Sequence, residues 1–279
     1  MKRMLALYFV LCLITPPVFA KAKRVALTAS IQNERKTAIV ARIRKVFPKA
    51  YANLVVNDPR FTFNLKIVAK IPPEEKPKPR KHDYAYIGNK WSKTHGLQFL
   101  KDNEPVLQIT EAQLHVPKEI ITGVFDAETQ YGEVPRGDRV IVQSLLTLAI
   151  FRPNFQRPGW PEDELIMFLR LCEQYHWDVF TETGSRTGAR GKAQFEPTSY
   201  EMFAMHYDGN QCVSGKTSLV PPDLFDNADA ICSIGNYLHG NGWGKSETSR
   251  VLALYSYNRD HAYGRAILNV ADFFRAAIK

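Results

Sequence analysis

Residues Val116–Gly132 read VPKEIITGVFDAETQYG, and their spacing predicts a helix with a carboxylate on its apolar side. Pro117 suits the first helical position, Glu119 the positive end of the helix dipole, and Gly132 the stop. Ile120, Ile121, Val124 and Phe125 follow the spacing of a buried stripe, and the same step of four from Val124 lands on Glu128. Glu128 is therefore expected to face inward. A carboxylate in apolar surroundings loses hydration, so its ionised form is disfavoured and its pKa rises, as a proton donor at neutral pH requires. A glutamate paired with Arg or Lys at a helix end would give the same pattern, so the rest of the chain must decide.

Toward the carboxyl end, Arg139–Ile150 is apolar enough for a buried helix, and Arg152–Pro161 is a loop with three prolines and a glycine. From Pro161, a helix places Leu165, Phe168, Leu169 and Cys172 on one face, with Cys172 in the core. Thr181–Lys192, TETGSRTGARGK, is Gly-rich and basic but has neither P-loop nor Rossmann spacing. Pro197 opens a helix expected to bury Tyr200, Phe203, Ala204 and Tyr207. Asp226 caps one that buries Ile231, Ile234 and Leu238. A final pair, Glu247–Tyr255 and Asp260–Ala277, is interrupted at Ser256-Tyr257-Asn258.

Toward the amino end, Glu104–His115 reads as a helix, and Ser92 is expected to cap another that runs to Lys101. Lys70–Asp83, KIPPEEKPKPRKHD, is a linker or surface arm. Asn33–Leu54 has a helical pattern with a break near Pro48. Alternation of apolar and polar residues is confined to Phe61–Val68. The expected fold is mainly α.

Across 279 residues the composition is 45% hydrophobic and 23% charged, that of a globular chain large enough for a substantial core. Met1–Ala20 has Lys2 and Arg3, an apolar run and a small-residue site ending at Ala20, the pattern of a cleaved export signal. The run is too short to span a bilayer comfortably, and no small residue precedes Cys12 as a lipoprotein site needs. The organisation expected is a signal peptide over 1–20, an amino-terminal helical segment with its Pro/charge-rich linker over 21–83, and a catalytic domain over 84–279. The mature protein is expected to be a periplasmic or secreted monomer without a membrane anchor. The formal charge is +9, or +7 once Lys2 and Arg3 are removed; a basic exported protein meets acidic envelope polymers readily, but such a charge equally serves solubility, and no nucleic-acid motif is present. Cys172, Cys212 and Cys232 remain after cleavage, so at most one intramolecular disulfide can form.

Glu128-Thr129-Gln130-Tyr131-Gly132, Gly188–Tyr200, Asp229–Trp243 and Tyr257-Asn258, in this order, resemble the membrane-bound lytic transglycosylase B family. The likeness runs from about Trp91 to Phe274 and implies a lysozyme-like α-helical catalytic domain with an amino-terminal helical appendage. It also implies peptidoglycan glycan strands as substrate, cut at the β-1,4 bond. By this resemblance Glu128 matches the catalytic acid/base, Gln194 and Tyr200 match glycan-cleft positions, and Tyr257 and Asn258 match a Tyr-Asn pair near the acid. Tyr257 is expected to hydrogen-bond to Glu128 and tune it. The alternative is a non-catalytic peptidoglycan-binding scaffold that keeps the cleft without turnover.

Three departures from the family pattern bear on the site. Ala193 and Glu196 stand where the family has Gly and Met, and a carboxylate at 196 is expected to alter charge in the cleft. Around His206–Cys212 only Asp208 remains of a calcium loop, too few oxygen ligands to expect calcium, and no cofactor is expected. Cys212 sits where those ligands are missing, so a Cys212–Cys232 bond could fix the loop instead, with Cys172 as the other possible partner. The third departure expected is the absence of a lipid anchor.

Overall fold

The computed structural model describes residues 27–68, 84–134 and 137–278. The export signal at Met1–Ala20 and the Lys70–Asp83 arm lie outside the described residues. In chain order the elements are α1 (Ala29–Val46), α2 (Lys49–Val56), α3 (Leu65–Val68), α4 (Lys90–Asp102), α5 (Glu104–Leu114), α6 (Lys118–Thr129), β1 (Arg139–Val140), α7 (Ile141–Phe151) and α8 (Trp160–Tyr175). There follow β2 (Thr183–Gly184), α9 (Pro197–Phe203), β3 (Met205–Tyr207), β4 (Cys212–Ser214), α10 (Asn227–Gly240), α11 (Glu247–Tyr257) and α12 (His261–Ala277). The strands form two small antiparallel pairs, β1 with β2 and β3 with β4. The fold is mainly α, as expected.

Two large apolar cores organise most of the helices, and a small cluster of Ile67, Leu148 and Trp160 holds α3. The larger gathers α4, α5, α6, α10 and α12, with Leu107, Ile121, Val124, Phe125, Ile234 and Phe274 fully buried. Here α12 lies along α6 at close range: a Cβ on Gly123 would stand 3.1 Å from the Ile267 side chain and 3.2 Å from that of Val270, so those side chains would have to give by a few tenths of an ångström. That approach brings the start of α12 to the end of α6, where the site forms. Asp226 caps α10 by accepting from the Ala228 and Asp229 amides. A disulfide joins Cys212 of β4 to Cys232 of α10, with Cα atoms 5.6 Å apart, and leaves Cys172 as a buried free thiol.

The second core docks the amino-terminal appendage. Ile39, Ile43, Phe47, Ala52, Val55 and Phe61 pack with residues of α7 and α8, including Leu145, Leu165 and Phe168. Polar ties cross the same seam: the Tyr51 hydroxyl donates to the Leu169 carbonyl at 2.8 Å, and Arg42 pairs with Glu162 at 3.1 Å and Asp163 at 2.8 Å. The break expected near Pro48 separates α1 from α2, because proline has no N–H to continue the ladder.

Three local expectations are corrected. Asn89, not Ser92, caps α4 by accepting from the Ser92 amide at 2.8 Å. Ser92 is buried and donates its hydroxyl to Asp126. Phe61–Val68 forms no strand: the Asn64 amide donates to Thr147 Oγ1 at 2.7 Å, and Asn64 Oδ1 accepts from the Lys66 amide, which starts the short helix α3. Tyr207 is not on the helix opened by Pro197. The backbone turns extended at Ala204, and Tyr207 sits in β3 with its amide on Asp229 Oδ1 at 2.7 Å.

Candidate active site

Glu128 lies one residue before the end of α6, half-buried beneath the stripe that predicted it. The helix stops because Gln130, Tyr131 and Gly132 are all left-handed, with φ of 49°, 60° and 89°. Only Gly132 tolerates this without cost, so the turn is held by its surroundings. The Tyr263 hydroxyl, from the first turn of α12, donates to Glu128 Oε1 at 2.8 Å and fixes the carboxylate's orientation. Tyr257 was expected to do this. Instead its hydroxyl donates to the Ala193 carbonyl at 2.6 Å, while its ring stacks on that of Tyr263 with centroids 6.4 Å apart. Both phenols are pushed well above the usual tyrosine range, first by burial and then by the negative charge of Glu128, so both remain protonated donors at neutral pH.

The Gly188–Tyr200 segment forms the facing wall. Arg190 and Phe195 pair across a tight loop, and Gln194 at its tip is left-handed, with φ of 51°. Gln194 is half-buried, and its side-chain amide donates to the Gly191 carbonyl at 2.7 Å. Phe195 is buried and its ring faces Tyr237 and Tyr257. Glu196 occupies the N-cap position of α9 but makes no capping bond. Its Oε1 accepts from Gln156 Nε2 at 3.2 Å, and a further hydrogen bond comes from Thr187. Burial, followed by the neighbouring charge of Glu164, pushes the Glu196 carboxyl up to about 8. Glu164 is 1% exposed and holds α9 to α8 by accepting from the Thr198 amide at 2.9 Å and its hydroxyl at 2.5 Å. Beside it, Gln156, Arg157, Trp160, Thr198 and Arg259 line a polar cavity of about 210 Å³.

Tyr200 departs from its expected place. It is 3% exposed, donates its hydroxyl to the Pro222 carbonyl at 2.5 Å, and packs edge-on against Tyr175 and Trp177. It is a buried support for the wall and is not presented to the cleft. Asn258 is half-buried at the C-cap of α11, directly after Tyr257. Glu128, Tyr257 and the Ala193–Gln194 turn are thus linked through Tyr263, which the sequence reading missed. Its signal was of the same kind as that of Glu128: Tyr263 precedes Ile267, Val270 and Phe274 at helical spacing, a polar tip at the end of an apolar stripe.

The calcium-loop region does not fit a metal. Asp208 Oδ1 accepts from the Asn210 and Gln211 amides, both at 2.9 Å, and Oδ2 from the Gln211 side chain at 3.2 Å. Among the described residues, no group of three or more His, Cys, Asp or Glu is placed to hold a metal ion.

The family described as "Transglycosylase SLT domain" matches residues 36–262, which include Glu128, the Gly188–Tyr200 wall and the Tyr257-Asn258 pair. The chain is 32% identical over 158 residues to the membrane-bound lytic murein transglycosylase B of Escherichia coli (strain K12). That stretch is 57% of this chain, and the chain spans about 40% of that relative's length. Among solved structures, the soluble lytic transglycosylase SltB1 of Pseudomonas aeruginosa superposes with a TM-score of 0.71 at 21% identity, covering 87% of this chain and 99% of that one. SltB3 of the same organism, in complex with NAG-anhNAM-pentapeptide, gives 0.66 at 18% identity, covering 88% and 79%. These structural likenesses give the fold, a lysozyme-like α-helical arrangement. Because the family match covers residues 36–262, well over half of the chain, the chain belongs to the transglycosylase SLT family.

Proposed function

We propose that this protein cleaves the β-1,4 glycosidic bond of peptidoglycan glycan strands, with Glu128 as its acid/base. The observation that carries this reading is the half-buried Glu128 carboxylate, inside the stretch that matches the family and held by the Tyr263 hydroxyl at 2.8 Å. Glu128 gives its proton to the leaving glycosidic oxygen as the bond from the anomeric carbon breaks. The muramic acid's own 6-hydroxyl oxygen then bonds to that carbon, and its proton passes to Glu128, which restores the starting acid and leaves a 1,6-anhydro end. Gln194 and Asn258 hold sugar hydroxyl and acetamido groups, while Tyr257 keeps the Ala193–Gln194 turn in place. The retained acid favours turnover over a scaffold role. We also place the protein in the envelope, exported through Met1–Ala20 and acting as a monomer. Among the described residues no helix is long and apolar enough to cross a membrane. Mass spectrometry of products from purified glycan tests the reaction: anhydro-ended fragments from wild type and none from Glu128→Gln support it, and equal release by both proteins rejects it.

Glu196 favours a refinement, a preference for deacetylated or otherwise modified glycan. Its carboxyl sits beside Glu164, accepts from Gln156 and Thr187, and feels the positive charge of Arg259. A free ammonium on a deacetylated sugar would form a charge-assisted hydrogen bond there, worth about 1.5–3 kcal/mol, or about tenfold to a hundredfold in preference. The same carboxyl could activate water and give reducing ends in place of anhydro ends. Comparing wild type with Glu196→Met on acetylated and deacetylated glycan, and scoring both end types, decides both points. Unchanged preference and products remove Glu196 from the mechanism.

A further inference from the structure

Tyr84 begins a short turn that crosses the junction between α11 and α12. Its ring meets that of Tyr263 edge-on, with centroids 5.8 Å apart and planes at 75°. Its hydroxyl hydrogen-bonds to both Asp260 and Asn258, and the two bonds act on the phenol in opposite senses. The bond to Asp260 favours the protonated phenol, as when the O–H donates to a carboxylate. The bond to Asn258 favours the phenolate, as when the phenol oxygen accepts from an amide N–H. Asp260 in turn caps α12 by accepting from the Ala262 amide at 2.8 Å. Two residues on, the Tyr86 hydroxyl donates to the Ala127 carbonyl at 2.9 Å, directly before Glu128. One turn thus grips the acid's helix with Tyr86 and the Asn258–Tyr263 junction with Tyr84.

We infer that Tyr84 is a positioning residue for cleavage: its hydroxyl sets the side-chain amide of Asn258 toward the glycan, and its ring holds Tyr263 against Glu128. This rests on the proposed reading of Glu128 as the acid and Asn258 as a sugar contact, and it separates two effects within one side chain. Removing the hydroxyl frees Asn258 to rotate, which weakens glycan binding. Removing the ring frees Tyr263, which misplaces the acid. A merely structural tyrosine would lower stability without sorting its effects in this way.

The test uses Tyr84→Phe and Tyr84→Leu in the full chain, with kcat and KM on soluble glycan strands and a melting curve for each. Tyr84→Phe is expected to raise KM about fivefold and leave kcat within twofold. Tyr84→Leu should lower kcat about tenfold or more at a temperature where the melting curve shows it folded. Binding of chitotetraose to Glu128→Gln, with and without Tyr84→Phe, reads the Asn258 effect without any turnover, so failure of the proposed reaction and failure of this inference are distinguishable. About fivefold weaker binding in the double variant supports the inference. Unchanged binding, or equal kcat and KM in both Tyr84 variants and wild type, overturns it.

Discussion

At the scale of single residues, Glu128 is decided by what surrounds one carboxylate. Glu128→Gln keeps the shape and can still accept from Tyr263, so the melting temperature should stay within a few degrees. Cleavage should fall by about 10² to 10⁴, the usual contribution of a general acid. Substantial residual activity would mean that another group carries the proton. Glu196 makes a pH prediction. With its carboxyl pushed up to about 8, it is mainly neutral at pH 6 and ionised above 8. If it pairs with an ammonium, the preference for deacetylated glycan rises between those values while the ammonium remains charged. Glu196→Met should flatten that rise in a two-substrate pH series. Asp126 predicts an effect on stability alone. It is fully buried, one oxygen has no hydrogen-bond partner, and burial pushes its pKa up to about 6 from an ordinary 3.8. Between pH 4 and 6 the folded state therefore holds a proton that the unfolded state has lost, so the contribution is full below about 4 and declines as pH rises through 6. The decline should be about 2–3 kcal/mol. Denaturation of Asp126→Asn across that range should show a flatter profile, and an unchanged slope would remove Asp126 as its cause.

At the scale of elements, the β3–β4 hairpin is held covalently. The Cys212–Cys232 bond closes a segment with a sequence separation of 20, which should contribute about 3 kcal/mol. The double change to Ser, or reduction, should lower the denaturation midpoint accordingly. A chelator should leave the midpoint where it is, because the Asp208 oxygens already accept backbone and side-chain hydrogens. A fall on adding chelator would reveal a metal in that loop. The disulfide was one of the pairings open to the sequence, since three cysteines could not choose among themselves. The choice came from folding, which laid β4 beside α10 and buried Cys172 among α8 side chains instead.

At the scale of the molecule, α1 and α2 belong to a core they share with α7 and α8. Ile43 is fully buried in that seam, so Ile43→Ala should cost about 2–5 kcal/mol. Because the seam joins the appendage to helices that also carry the site's wall, we expect one unfolding transition in which tryptophan fluorescence and helical circular dichroism coincide. Two separated transitions would show that the appendage unfolds by itself.

Much of this arrangement was legible in the sequence because it depends on local chemistry. The period of apolar residues gave the helices, Asp226 its cap, Pro48 its break and Glu128 its face, since each follows from neighbours a few residues away. The order of the four segments, read as a resemblance, pointed to the family. What the tertiary structure alone decided are the meetings of residues far apart in the chain. Tyr257 and Tyr263 are both tyrosines near the same helix start, and no local rule says which hydroxyl reaches Glu128. The close packing of α12 on Gly123 does. Tyr200 has the spacing of an inward residue, but only the fold shows that inward means the Pro222 carbonyl and not the cleft. Ser92 reads as a cap until a buried Asp126, 34 residues away, takes its hydroxyl. Periodicity tells which face of a helix is turned inward; which distant group waits there is fixed when the helices pack.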